Sequence, residues 1–176
     1  MRVIAGEFRS RKLKSVPGLA VRPIPDRLRE SLFSVLAPRL DGAIFVDAYA
    51  GSGAVGIEAL SRGAKHVVLI ERNAGAVSVI RENLDTLGIL ERVTVLRGKA
   101  APLLRAQKAD IAFLDPPYDV VTEYLDSLLA LSEAQCPYVI AQHTSHLTLD
   151  DRYGDLKKNR VLKQGDNSLS FFEPFS

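Results

Sequence analysis

The chain has 176 residues, 47% of them hydrophobic, enough to bury the core of one domain plus a modest appendage. No apolar run approaches the roughly 18 residues of a bilayer span, Met1-Arg-Val-Ile opens no signal-peptide pattern, and the single cysteine, Cys136, excludes a disulfide framework or a multi-cysteine zinc site. A cytoplasmic protein with no membrane or metal partner is expected. The net charge of +2 is unevenly spread, because residues 1–40 hold nine basic groups against three acidic ones. A basic head on a mildly acidic body points to a polyanionic partner met by the head.

Residues 1–24 hold two short extended runs, Arg2-Val-Ile-Ala and Lys12-Leu-Lys-Ser-Val, separated by Gly6-Glu-Phe-Arg-Ser-Arg. They predict a small β-hairpin with its basic side chains outward, followed by an extended connector through Pro23 and Pro25. Asp26 is the expected N-cap of a helix over 27–37, with Leu28, Leu32, Val35 and Leu36 on one stripe and Arg27, Arg29 and Glu30 off it. Pro38 to Gly42 should end this helix. The chain is then expected to divide into a basic extension, 1–40, that meets the polyanion, and a main domain, 41–176.

From Ala43 the pattern alternates. The apolar run 43–46 is a buried strand ending at Asp47, and Gly51, Gly53 and Gly56 open a helix carrying Val55, Ala59 and Leu60. Further strands are expected at 66–71, 93–97, 109–115 and 138–141. Helices are expected at 74–86, stopped by Gly88, at 100–107, and at 121–131 with Val121, Tyr124, Leu125, Leu128 and Leu129 inward. Such alternation means an α/β fold with a mostly parallel, Rossmann-like sheet covered on both faces. Residues 143–158 read as a polar loop. Two final runs, 159–163 and 168–172, are too close for a crossover helix and should add an antiparallel hairpin.

The glycines lie in the order G-x-G-x-x-G, which alone permits a dinucleotide as readily as any other nucleotide-like ligand. Glu71, about 20 residues on, suits the two hydroxyls of a ribose. Asp47, just before the turn, would repel a pyrophosphate and attract a cation, and S-adenosylmethionine combines a ribose with a sulfonium and an ammonium. Asp115-Pro-Pro-Tyr118 ends the fourth strand. Its prolines remove two N–H donors, leaving the Asp115 carboxylate and the Pro116 carbonyl as acceptors for an exocyclic amine, with Tyr118 as a stacking face for the base. His143 and His146, three apart, have no carboxylate cluster to complete a metal site, and Cys136 beside Pro137 reads as a small buried residue.

Taken together, these motifs resemble class I S-adenosylmethionine-dependent methyltransferases. More narrowly, the chain resembles the RsmD family of bacterial guanine-N2 methyltransferases acting on 16S ribosomal RNA of the small subunit. The resemblance is carried by Met1-Arg-Val-Ile-Ala-Gly with Phe8-Arg9, by Arg22-Pro23 and Asp26-Arg-Leu-Arg-Glu30 before Leu32-Phe33, by the stretch from Asp47 to Gly63, and by Asp115-Pro-Pro-Tyr118. It implies catalysis by Asp115, Pro116 and Tyr118. It implies a cofactor site of Asp47, Tyr49, Gly51, Gly53, Glu71, Arg72, Lys99 and Ala100, and phosphate contacts from Arg9, Arg11, Lys12, Lys14, Arg22, Arg27 and Arg29. Ribosomal RNA, free or within a small-subunit particle, is the implied partner. Lys99 stands where such enzymes commonly carry an acidic residue, so recognition of the adenine would rest on backbone groups at Lys99 and Ala100. Gln142 replaces a frequent glutamate, and Phe171-Phe172 stands in place of a tyrosine-bearing pattern. Two alternatives remain open: the same chemistry on adenine or cytosine amines in DNA, and a non-catalytic RNA-binding module.

Overall fold

In the computed structural model, which describes residues 1–18, 24–117 and 120–175, the strand β1 (Ile44–Ala48) sits at a reversal of strand order. On one side it pairs in parallel with β2 (His66–Glu71), which pairs with β3 (Val93–Arg97); on the other it pairs in parallel with β4 (Ile111–Leu114). β5 (Val139–Thr144) continues the parallel sheet beyond β4. The crossovers therefore run in opposite directions from β1 and β4 and leave a crevice above their carboxyl ends, where α/β sheets receive ligands.

The remaining strands β6 (Arg152–Tyr153), β7 (Leu156–Gln164) and β8 (Asn167–Pro174) complete the sheet order β3-β2-β1-β4-β5-β8-β7-β6. β8 is antiparallel to both β5 and β7, so the expected hairpin is present on a mostly parallel α/β sheet. The expected loop at 143–158 needs correction: β5 runs to Thr144, and β6 and the start of β7 lie within it.

Alternation along β1 divides the core. Phe45 faces a cluster with Leu28, Leu32, Phe33, Leu36, Ile57, Leu60, Ile80 and Leu84, from the helices α1 (Asp26–Leu40), α2 (Ala54–Ser61) and α3 (Ala74–Leu87). Val46 and Ala48 face the opposite cluster with Leu104, Leu128 and Leu131, from α4 (Ala100–Arg105) and α5 (Val121–Glu133). The Asn73 side chain accepts the Ala76 N–H at 2.9 Å to cap α3, and Gly88 ends that helix in the left-handed conformation at φ 69°.

Three details of the helices differ from expectation. The residue capping α1 is Pro25 rather than Asp26, and α1 continues past Pro38 to Leu40, whose side chain is drawn into the core. On α5 the buried side is Tyr124, Ser127, Leu128, Ala130 and Leu131, whereas Val121 and Leu125 are 54% and 42% exposed. The predicted N-terminal hairpin contracts to a single antiparallel bridge between Arg2 and Lys12. Side chains of α2 hold this segment instead. Glu58 accepts the N–H groups of Ile4 and Ala5 at 2.9 and 3.1 Å, and the Ser61 hydroxyl accepts from Phe8 N at 2.9 Å. Val3, Phe8 and Leu13 thereby join the same core cluster as Phe45 and Leu60. Among the described residues, no helix is long and apolar enough to cross a membrane.

Candidate active site

The chain leaves β1 through a turn that its neighbours hold tightly. Tyr49, Gly51 and Gly53 all have positive φ, at 62°, 59° and 85°, and the Ala50 N–H donates to the Ile70 carbonyl at 2.8 Å. Gly56 is needed for a different reason. A side-chain carbon there would collide with Leu69 and with Val67 of β2, so its absence lets α2 lie close on the sheet.

Asp47 and Glu71 pin the two ends of this turn. Asp47 Oδ2 accepts the Gly56 N–H at 3.0 Å, in the first turn of α2. Glu71 accepts Gly51 N–H at 2.9 Å through Oε1 and Asn73 N–H at 2.7 Å through Oε2. Burial pushes Asp47 up to about 8, the Gly56 N–H works against this, and the charges of Asp115 and Glu71 add to the rise. Asp115, at the carboxyl end of β4, is pushed up to about 7 by burial. Three carboxyl groups thus converge above the reversal in strand order, and a cation placed among them would relieve their repulsion.

Glu71 and Asp115 border a cleft of about 910 Å³. Tyr49, Gly51, Glu71, Arg72, Lys99, Ala100, Asp115 and Pro116 all line it, so the structure brings together eight of the residues singled out from the sequence. Asp47 and Gly53 stand behind this wall as its supports. The Tyr49 hydroxyl lies 2.7 Å from both Glu123 Oε2 and Ser127 Oγ, and burial raises its pKa. Asp115 and Pro116 also border a narrow side chamber of about 10 Å³ beyond β4, lined by Tyr124, Gln142, His143 and Asn167 among others. Both His143 ring nitrogens are engaged, with the Thr144 carbonyl at 2.8 Å and Ser170 Oγ at 2.7 Å. Among the described residues, no group of three or more His, Cys, Asp or Glu is placed to hold a metal. Cys136 is buried, which pushes its thiol up to about 11.

The basic head divides. Arg9, Arg11, Lys12, Lys14 and Arg27 are exposed, although Lys14 pairs with Glu82 at 3.0 Å and Arg11 donates to the Thr86 carbonyl at 3.2 Å. Arg29 must be removed from the phosphate-binding set. Its side chain is fully buried, 3.9 Å from Glu58, and donates to the Arg2 carbonyl at 2.7 Å and to Asp26 at 3.2 Å. A guanidinium enclosed in this way cannot reach RNA. Arg22 and Tyr118 lie outside the described residues.

Sequence reasoning missed Glu58, which joins Arg29, Arg62 and the backbone of Ile4 and Ala5. The available signal was a lone acid in an otherwise apolar helix, Ala-Val-Gly-Ile-Glu-Ala-Leu. It also missed Glu123 and Asp126, which line the cleft from α5.

Comparison with known proteins agrees with this geometry. The family model described as "Conserved hypothetical protein 95" matches residues 1–173. The chain is 34% identical to the Bacillus subtilis protein named "Putative rRNA methyltransferase YlbH", over 98% of each chain. It is 41% identical to "Ribosomal RNA small subunit methyltransferase D" of Escherichia coli (strain K12), over 67% of this chain and 60% of that protein. A solved structure titled "Putative methyltransferase yhhF from Escherichia coli" superimposes with a TM-score of 0.81 at 32% identity, covering 100% of this chain and 98% of that one.

Proposed function

The chain belongs to the RsmD family, and from that premise we propose that it transfers a methyl group from S-adenosylmethionine to the exocyclic N2 amine of a guanine in small-subunit ribosomal RNA. The observation that carries this reading is the position of Asp115 and Pro116. They form the wall common to the large cleft and the side chamber, so a donor on one side and an acceptor on the other would meet at them.

The cleft fits the cofactor in volume and donor set. Its residues include a carboxylate, Glu71, fixed by two backbone N–H groups yet retaining lone pairs for a ribose diol. The convergence of Asp47, Glu71 and Asp115 favours a cationic occupant. Lys99 and Ala100 would meet the adenine through their backbone, with Arg72 beside the ribose end. When bound, S-adenosylmethionine supplies an electrophilic methyl on a sulfonium that leaves with the electron pair of the broken bond.

The protein then has to orient a poor nucleophile. The amine lone pair of guanine is delocalised into the ring. Acceptors on both N2 hydrogens, the Asp115 carboxylate and the Pro116 carbonyl, would turn that lone pair toward the methyl. The proton that N2 sheds after gaining the methyl would pass to Asp115, whose raised affinity for protons suits it to receive one. Tyr118 would stack on the base. The target nucleotide would have to leave its own stack to reach this point. Arg9, Arg11, Lys12, Lys14, Arg22 and Arg27 would hold phosphates of free RNA or of a small-subunit particle in the cytoplasm, giving affinity that falls with salt.

The test is mass-spectrometric mapping of modified nucleosides in ribosomal RNA from cells with and without this protein. Loss of one N2-methylguanosine is expected on deletion. An unchanged modification profile would refute the assignment, as would single-turnover transfer unaffected by Asp115→Ala.

A further inference from the structure

Gln142, which lines the side chamber, carries an unpaired acceptor. β4 and β5 run in parallel with Leu114 opposite Ala141, so the next residues, Asp115 just past the end of β4 and Gln142 within β5, are neighbours, and both line the chamber. Gln142 is only 7% exposed, and its Oε1 has no hydrogen-bond partner. Its backbone carbonyl is already taken by the Tyr124 hydroxyl at 2.6 Å, and neighbouring His143 is saturated. The other unpaired buried side-chain atoms among the described residues are donors, both on Arg29 of α1. A buried acceptor left unpaired beside a reaction centre is costly to keep, and its presence there asks for a ligand atom.

We propose that the Gln142 side-chain amide reads the Watson–Crick edge of the guanine that receives the methyl. Oε1 takes the N1 hydrogen and Nε2 donates to O6. This rests on the function proposed above and deepens it by naming how the acceptor base is recognised.

The chemistry selects guanine over the other amine-bearing bases. A carboxamide presents one acceptor beside one donor. Once Asp115 and Pro116 have engaged N2, a guanine still offers a ring N–H and then a carbonyl in matching order. Adenine and cytosine carry a bare ring nitrogen beside their amines, so a carboxamide must turn over to donate to it and Oε1 remains unpaired. The chamber, at about 10 Å³, has room for a polar group rather than a whole ring. The base therefore presents only its edge to Gln142, while its face is left for stacking.

The experiment uses the full chain and short RNA carrying the mapped site with either guanine or 2-aminopurine at the target. 2-Aminopurine keeps the N2 amine but lacks both the N1 hydrogen and O6. Wild-type protein is expected to favour guanine in kcat/KM by about ten- to a hundredfold. Gln142→Met, similar in volume and unable to form either bond, should lower the guanine rate toward that of 2-aminopurine and largely erase the preference. Affinity for S-adenosylmethionine and the melting temperature should be unchanged or improved. A Gln142→Met protein that keeps the preference would overturn the inference and leave the amide serving an ordered water. So would a wild-type protein without the preference, which needs no variant to measure. If wild-type protein methylates no guanine in ribosomal RNA, the underlying function falls first, and that result is distinct from either of these.

Discussion

Gly51 and Glu71 face each other across the mouth of the cleft, joined by a 2.9 Å hydrogen bond from the glycine N–H to Oε1. The carboxylate thus shapes the turn that surrounds the ligand and offers its remaining lone pairs to that ligand. Glu71→Gln replaces one acceptor oxygen with a donor that must oppose a backbone N–H. The expected result is a rise of about tenfold or more in the Kd for S-adenosylmethionine by calorimetry, with only a small fall in melting temperature.

Asp115 gives the reaction a pH dependence. Its pKa is raised to about 7, so the carboxylate that orients N2 and accepts its proton becomes available as pH rises through that value. The kcat/KM for the methyl donor should climb with pH and level off above about 7. A bound cation favours the ionised form, so the midpoint of the single-turnover rate in the complex should lie lower. Asp115→Asn should remove the climb and reduce the rate by about a hundredfold or more.

Asp47 affects stability in the opposite sense from a salt-bridged carboxylate. Its pKa is 3.8 in an ordinary setting and about 8 here, so between these values the folded chain holds a proton that the unfolded chain has released. Stability from this group is present at about pH 4 and declines as pH rises toward 8. Asp47→Asn keeps an oxygen for the Gly56 N–H but cannot ionise. Its melting temperature should change less with pH, and at pH 8 should exceed that of the wild type.

Arg29 and the exposed basic residues of the head should separate cleanly. Arg29→Met leaves Glu58 buried beside a single cation, Arg62, and should cost about 3 kcal/mol in denaturant unfolding. The slope of log K for RNA against log salt should not change. Arg9→Ala should leave stability nearly intact and reduce that slope by about 0.7–0.9. A salt slope altered by Arg29→Met would return that residue to the RNA surface.

What could be read in advance depended on whether a residue's neighbours were close in sequence. The runs at Phe45, at Val67 to Ile70 and at Ile111 to Leu114 are apolar on both faces, which only a covered parallel sheet accommodates, so the central fold was legible. The glycine turn and Asp115-Pro-Pro likewise announce themselves locally. Arg29 did not, because charge normally means exposure and its partner Glu58 lies on another helix. The beginning of β7, Leu156-Lys-Lys-Asn-Arg160, is mostly polar because Lys157, Asn159 and Arg160 are exposed, and only pairing with β8 makes it a strand. Pro38 marked a helix end too early because Leu40, two residues further on, had a place in the core. Gln142 could be noticed as a departure from a glutamate, but its lack of a partner is visible only where β4, β5 and α5 meet.

The placement of β8 also bears on how the chain reaches this structure. The strand made after β7 lies between β5 and β7, and β7 and β6 reach the sheet only through it. While residues 167–174 are still unmade or unpaired, β5 presents a bare row of backbone donors and acceptors next to the apolar residues Val139, Ile140 and Ala141. An edge left uncovered in this way can pair with the same edge of other chains until β8 closes it. Substitutions that weaken β8 should therefore be felt first as lost yield of protein during synthesis, before any defect in the finished molecule is measured.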